Sequence, residues 1–256
     1  FTAYLLAQAK TSSRITLMAF TLGFNVVALM MTGTRGALTA MWVLVLLVHP
    51  VIAILYRKQL NFNHWNSGKR ILACGVLIAT VLTMGMTSSG NSKIISDRGL
   101  SGPLTPFGMA FSRTASISTS DGSLGVRLVM WKATLVMIKA NPVTGVGAGA
   151  WEAMQPLYQV EGSQLETDYY VHNEILQLLA EYGLTGLLFL IALFGYLLRA
   201  AWKTLVNRTP EGLAEAPIRA IVLTSLLAFL IVSNIGFPWR LAATGSLFAI
   251  CLALLA

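Results

Sequence analysis

A chain of 256 residues would suit one or two soluble domains, but 55% hydrophobic and 11% charged residues with a mean hydropathy of +0.69 place it in a lipid bilayer. The formal net charge of +8 does not indicate nucleic acid, because the cations are spread through short loops between apolar runs, where Lys and Arg set membrane orientation. Cys74 and Cys251 both sit inside apolar runs, which excludes a secreted disulfide framework and a CxxC metal site and leaves them as packing residues.

The chain opens at Phe1 without a signal-peptide pattern and is already apolar, so it reads as the later part of a longer membrane protein. A spanning helix needs roughly 20 mainly apolar residues. Segments 15–34, 36–56, 71–88, 184–202 and 218–237 meet or nearly meet this, and a sixth runs from 241 to 256. The expected fold is therefore an all-α polytopic membrane protein of about six transmembrane helices with one large external loop. The division is three helices in 1–88, the loop in 89–173 and three helices in 174–256. The 57–70 loop carries Arg57, Lys58, Lys69 and Arg70 with no acid, and the 199–219 loop carries Arg199, Lys203, Arg208 and Arg219 against Glu211 and Glu215. Both are expected to face the cytoplasm, which puts the turn from Thr32 to Gly36 and the whole stretch from Ser89 to Asn173 outside.

A connection of this length is far longer than packed helices need. Its first part, Ser88 to Ser123, is rich in Ser, Thr, Gly and Pro and reads as irregular. Leu124 to Ala140 reads as a helix ended by Asn141-Pro142. At about 100° per residue, Arg127, Trp131, Thr134 and Ile138 share one face of it, and Lys132 and Lys139 fall on another. The Gly145-Val-Gly-Ala-Gly149 run has no strand before it and reads as a tight turn rather than a nucleotide loop. An acidic segment follows from Glu161 to Asp168, and His172-Asn173 marks the return to the membrane. Asn173 suits a helix N-cap, and Glu174 in the first turn complements the helix dipole. Glu174, Gln177 and Glu181 fall on one stripe about 60° wide.

Arg35, Arg127 and His172 come from distant parts of the chain yet all map to the external side. Arg35, in Thr32-Gly-Thr-Arg-Gly36, can present its fork of donors at headgroup level or simply anchor a helix end among membrane lipids by snorkelling. Arg127 can likewise be a surface arginine stacked on Trp131. His172 is the only external imidazole of the three in the chain. A solitary histidine is more often structural than catalytic, but it suits proton transfer or phosphate binding. No spacing of His, Cys, Asp or Glu suggests a metal, and no GxSxG nucleophile motif occurs.

Three stretches together resemble the O-antigen ligase and polymerase superfamily. They are Thr32-Gly-Thr-Arg-Gly-Ala37; Gly125-Val-Arg-x-x-x-Trp131 leading into Asn141-Pro-x-x-Gly-x-Gly147; and His172-Asn173 followed by Gly183-Leu-Thr-Gly186. The resemblance covers essentially the whole chain as the C-terminal half of such a protein. It implies a bacterial inner-membrane glycosyltransferase whose active site faces the periplasm. Such an enzyme moves a glycan from an undecaprenyl-diphosphate carrier to an acceptor hydroxyl by an inverting transfer without a metal or other cofactor. The family's two essential arginines map onto Arg35 and Arg127, as ligands of the diphosphate, and its essential histidine maps onto His172. Asn173, Glu174 and Trp131 are expected to support them. The acceptor is expected to be lipid A core, as in a ligase; another glycan chain (polymerase) or a protein hydroxyl (O-oligosaccharyltransferase) fits the same motifs. His172 can act as the base or, protonated, as a third cation on the diphosphate. A lipid-linked glycan transporter would also need external cations, but transporters place polar groups near the midplane on broken helices, and these spans read as clean. A plain membrane anchor would leave the long external loop unexplained.

Overall fold

The computed structural model describes residues 1–56, 64–88, 105–115, 122–159, 170–207 and 209–256. Among the described residues every regular element is helical, and five helices are long and apolar enough to cross a membrane. Apolar side chains point outward on these helices: Ile71, Leu198 and Ile54 are 73, 71 and 70% exposed, which suits lipid as the surrounding solvent. The sixth apolar run forms a shorter helix, Ala242–Ala253, of 12 residues. The described chain forms two compact units, Phe1–Ile117 and Ser118–Ala256.

The first unit contains α1 (Thr2–Gln8), α2 (Ser12–Met31), α3 (Arg35–Leu55), α4 (Ser67–Met86) and α5 (Pro106–Ala115). Thr11 and Asn66 cap α2 and α4 by accepting from the backbone N–H groups of Arg14 and Lys69, as short polar side chains do at helix starts. The crossing of α2 and α4 is close because Gly23 meets Thr80: a Cβ at Gly23 would lie 2.9 Å from the Thr80 Cβ, the small-residue contact that lets membrane helices approach. The Trp65 indole N–H donates to the Ala9 carbonyl at 2.8 Å, tying the start of α4 to the end of α1.

Two expectations are corrected in this unit. Span α3 is not clean: Leu44–Val48 forms a π turn just before Pro50. Proline has no N–H to give and its ring crowds the carbonyl four residues earlier, so a locally widened turn takes up the misfit. The stretch from Ser88 to Ser123 is not wholly irregular, since α5 lies within it. Thr105 caps α5, its Oγ1 accepting from the Gly108 N–H at 3.1 Å, and Pro106 occupies the first helical position, where its missing N–H costs nothing. The Phe107 ring covers Gly85, where a Cβ would come within 2.6 Å of it. Residues 89–104 and 116–121, Arg57 and Lys58 of the 57–70 loop, Arg208, and the acidic segment at 161–168 lie outside the described residues.

The second unit contains α6 (Gly122–Ala140), α7 (Trp151–Met154), a 3₁₀ turn (Gln155–Tyr158), α8 (Glu174–Val206), α9 (Pro210–Ser233) and α10 (Ala242–Ala253). One core joins α8, α9 and α10 through Leu193, Leu197, Val222, Leu226, Phe248 and Cys251, so Cys251 is a packing residue as expected, whereas Cys74 is exposed on α4 and is not. Arg219 of α9 is buried, and its Nη2 donates to the Leu255 carbonyl at 2.9 Å, satisfying a group at the end of α10 that the helix itself leaves open. A second core, of Met130, Met137, Trp151, Val171 and Ala180, packs α6 against α7 and the start of α8.

The start of α8 lies ten residues before the apolar run that marked it, and Gly183 breaks it with φ 52° and ψ −127°. The break separates an amphipathic first segment, residues 174–182, from the apolar span that follows.

Candidate active site

Residues 141–149 form the base of the site. They lie against the break in α8 and pair with the backbone groups around it. The N–H groups of Val146 and Gly147 donate to the carbonyls of Ala180 and Glu181 at 2.9 and 3.1 Å, and the Leu184 N–H donates to the Val143 carbonyl at 3.0 Å. This approach needs glycine on both sides. A Cβ at Gly145 would lie 2.4 Å from the Glu181 carbonyl, and one at Gly183 would lie 2.5 Å from the Val143 oxygen. The tight turn expected at Gly145–Gly149 is thus also a docking surface, and Asn141-Pro-x-x-Gly-x-Gly147 and Gly183 are two halves of one contact.

His172 immediately precedes Asn173, the N-cap of α8. It is the one non-glycine among the described residues with a left-handed backbone, φ 55°, a conformation that persists in an ordinary residue when its surroundings fix it. Val171 before it is held through both of its backbone polar groups. The Val171 N–H donates to Gln177 Oε1 at 3.2 Å, and the Val171 carbonyl accepts from the Trp131 indole at 3.0 Å. On the other side Asn173 caps α8 as expected, its Oδ1 accepting from the Leu176 N–H at 3.1 Å. The His172 ring lies 5.1 Å from that of Phe237, which in turn lies 4.5 Å from Tyr170.

The face of α6 read from the sequence turns inward: Thr134 is buried, Trp131 and Ile138 pack into the second core, and Lys132 and Lys139 are exposed. Arg127 is half-buried on that same inward face, one turn or about 6 Å of helix axis before the indole that holds Val171. Trp131 therefore links the helix that carries Arg127 to the backbone of His172. Arg127, Trp131, His172, Asn173 and Glu174 are all brought into the second unit.

Arg35 belongs to the first unit. It opens α3 directly after Thr34, and Gly33 before it has φ 57°. The Arg113 side chain lies over this turn, its Cγ and Nε 3.8 Å from where a Gly33 Cβ would stand. Nothing in the local sequence of Arg113 announces this neighbour.

The stripe of Glu174, Gln177 and Glu181 is buried, with relative exposures of 3, 2 and 1%. Its partner, missed in the sequence, is Arg240 in the α9–α10 connection. Arg240 pairs with Glu174 at 3.2 Å and Glu181 at 3.1 Å. Glu174 Oε1 also accepts from the Trp239 N–H at 2.9 Å, and Gln177 Nε2 donates to Glu181 Oε1 at 2.9 Å. Glu174 is thus held by an ion pair and not only by the helix dipole. Among the described residues no group of three or more His, Cys, Asp or Glu is gathered as a metal site would require.

A family model described as O-Antigen ligase matches residues 13–191, a range that includes Arg35, Arg127, His172 and the α8 stripe but not Arg240. No curated protein and no solved structure matches the chain.

Proposed function

Because this chain belongs to the O-antigen ligase family and is a multi-pass membrane enzyme of that kind, we propose that it transfers a glycan from an undecaprenyl-diphosphate carrier to an acceptor hydroxyl at the periplasmic face of the bacterial inner membrane. The acceptor in this reading is lipid A core, which makes the chain a ligase. The observation that carries the proposal is the left-handed His172, set between Val171, whose backbone is held by Trp131 and Gln177, and Asn173, which caps α8.

In the reaction the acceptor hydroxyl attacks the anomeric carbon from the side opposite the diphosphate, and the configuration inverts. The hydroxyl proton passes to His172 as the new C–O bond forms. The sugar–phosphate bond breaks and its electron pair leaves on undecaprenyl diphosphate. Arg127 neutralises the charge that develops there, as fixed guanidinium groups can without a metal. Arg35 is assigned to the same diphosphate on the resemblance of its Thr-Gly-Thr-Arg-Gly motif.

Purified full-length enzyme, given an undecaprenyl-diphosphate glycan and lipid A core, is expected to form the linked product at an unchanged rate in excess EDTA. Loss of activity that magnesium or manganese restores would replace the two-arginine scheme with a metal site. In cells, deletion is expected to remove O-antigen from lipid A core. Shortened chains would instead identify a polymerase, and loss of protein glycosylation an oligosaccharyltransferase.

The proposed orientation has its own test. In a background without Cys74 and Cys251, a cysteine at Ser116 is expected to react with an impermeant maleimide in intact cells, and one at Ser67 is not. Labelling at Ser67 alone would invert the topology and move the site to the cytoplasm.

A further inference from the structure

Arg240 lies beyond the residues matched by the family, and its surroundings differ from those a phosphate-binding arginine needs. Its Nε and Nη2 donate to two carboxylates, Glu174 and Glu181, that are themselves buried. One guanidinium against two carboxylates gives these three side chains a formal charge of −1, which opposes the approach of a diphosphate.

The hydrogen bonds run from Arg240 toward His172. Arg240 donates to Glu181 Oε2, Gln177 donates to Glu181 Oε1, and the Val171 N–H donates to Gln177 Oε1, at 3.1, 2.9 and 3.2 Å. The next residue is His172. A second path closes around the same place: the Arg240 guanidinium carbon stands 5.7 Å over the Tyr170 ring, and Tyr170 and His172 both pack on Phe237, three residues before Arg240. Trp239, between them, is tied by its backbone to Glu174.

We infer that Arg240 is a positioning residue, which fixes the His172 backbone through Glu181 and Gln177 and does not bind the substrate's diphosphate. The inference rests on reading His172 as the proton acceptor. A coupling path of this kind is physical only if breaking it at separate points has one effect.

The test uses the full-length enzyme in lipid nanodiscs. Arg240→Lys keeps the charge but cannot fork onto two carboxylates, Glu181→Gln removes one ion pair, and Gln177→Met breaks the relay without touching Arg240. All three are expected to lower kcat by about 10–100-fold, the cost of a misplaced reacting group, and to leave the donor KM within about threefold. A raised donor KM with unchanged kcat in Arg240→Lys would make Arg240 a diphosphate ligand and overturn the inference.

A second readout needs no turnover. The rate at which diethyl pyrocarbonate modifies His172, followed by peptide mass spectrometry, is expected to change severalfold in each variant. An unchanged rate in Gln177→Met and Glu181→Gln, at wild-type melting temperature, would also overturn it. If the wild-type enzyme transfers no glycan, the modification rates still decide whether Arg240 positions His172, and the failure then belongs to the proposed reaction.

Discussion

His172→Ala is expected to reduce glycan transfer by about 10²–10⁴-fold, the range over which a positioned general base contributes, while the protein inserts and elutes as the wild type does. Arg127→Lys is expected to lose most of its activity as well, because an ammonium cannot offer the paired donors that a guanidinium gives a diphosphate, and Arg35→Ala should be inactive. The control lies on the same helix as Arg127. Lys132 and Lys139 are exposed on α6 away from Trp131 and Thr134, so Lys132→Ala and Lys139→Ala should retain full activity. Initial rates with purified enzyme at saturating donor separate the two groups. Equal losses at Lys132 and Arg127 would show that bulk positive charge matters rather than one placed fork.

Gly145→Ala and Gly183→Ala are expected to be as damaging as loss of His172, for a different reason. Each adds a Cβ within 2.4 to 2.5 Å of main-chain atoms across the 141–149/α8 contact, and each residue has a positive φ, +66° and +52°. Main chain cannot rotate aside as a side chain can, so the two segments must part and the three backbone hydrogen bonds between them must lengthen or break. Strain and lost bonding together cost about 3 kcal/mol or more, read as a lower melting temperature of the detergent-solubilised protein. Gly125→Ala has nothing within 4 Å of the added atom and sits inside α6, so it should be neutral or slightly stabilising. A wild-type melting temperature for Gly145→Ala would mean that the close approach does not exist in the folded protein.

What sequence reading captured was local. Hydropathy placed the long spans, the angular count on α6 separated Arg127 and Trp131 from Lys132 and Lys139, and Asn173 before Glu174 marked a helix start that the structure contains. Helix α5 escaped because its surroundings are rich in Ser, Gly and Pro, although Thr105-Pro106 is a recognisable start signal. The pairings that build the site escaped for a deeper reason. Arg240 meets Glu174 and Glu181 across separations of 66 and 59 residues, and no periodicity or motif encodes a partner that far away. Its sequence context, a lone cation between two apolar runs, is the same as that of a cation that only orients a helix. The glycines of 145 and 183 were each visible, but that each needs the other follows only from the fold.

The described residues on either side of 160–169 are each held by hydrogen bonds within the second unit. On one side the Tyr158 hydroxyl accepts from Asn141 at 2.9 Å and Gln159 bonds Gln155 at 2.7 Å. On the other, Val171 is held by Trp131 and Gln177. Closing a longer loop between fixed ends is cheap, about 0.6 kcal/mol for each doubling of length. The bonds to Trp131 and Gln177 that hold Val171 use no residue between 160 and 169, so a change in the length of that stretch need not break them.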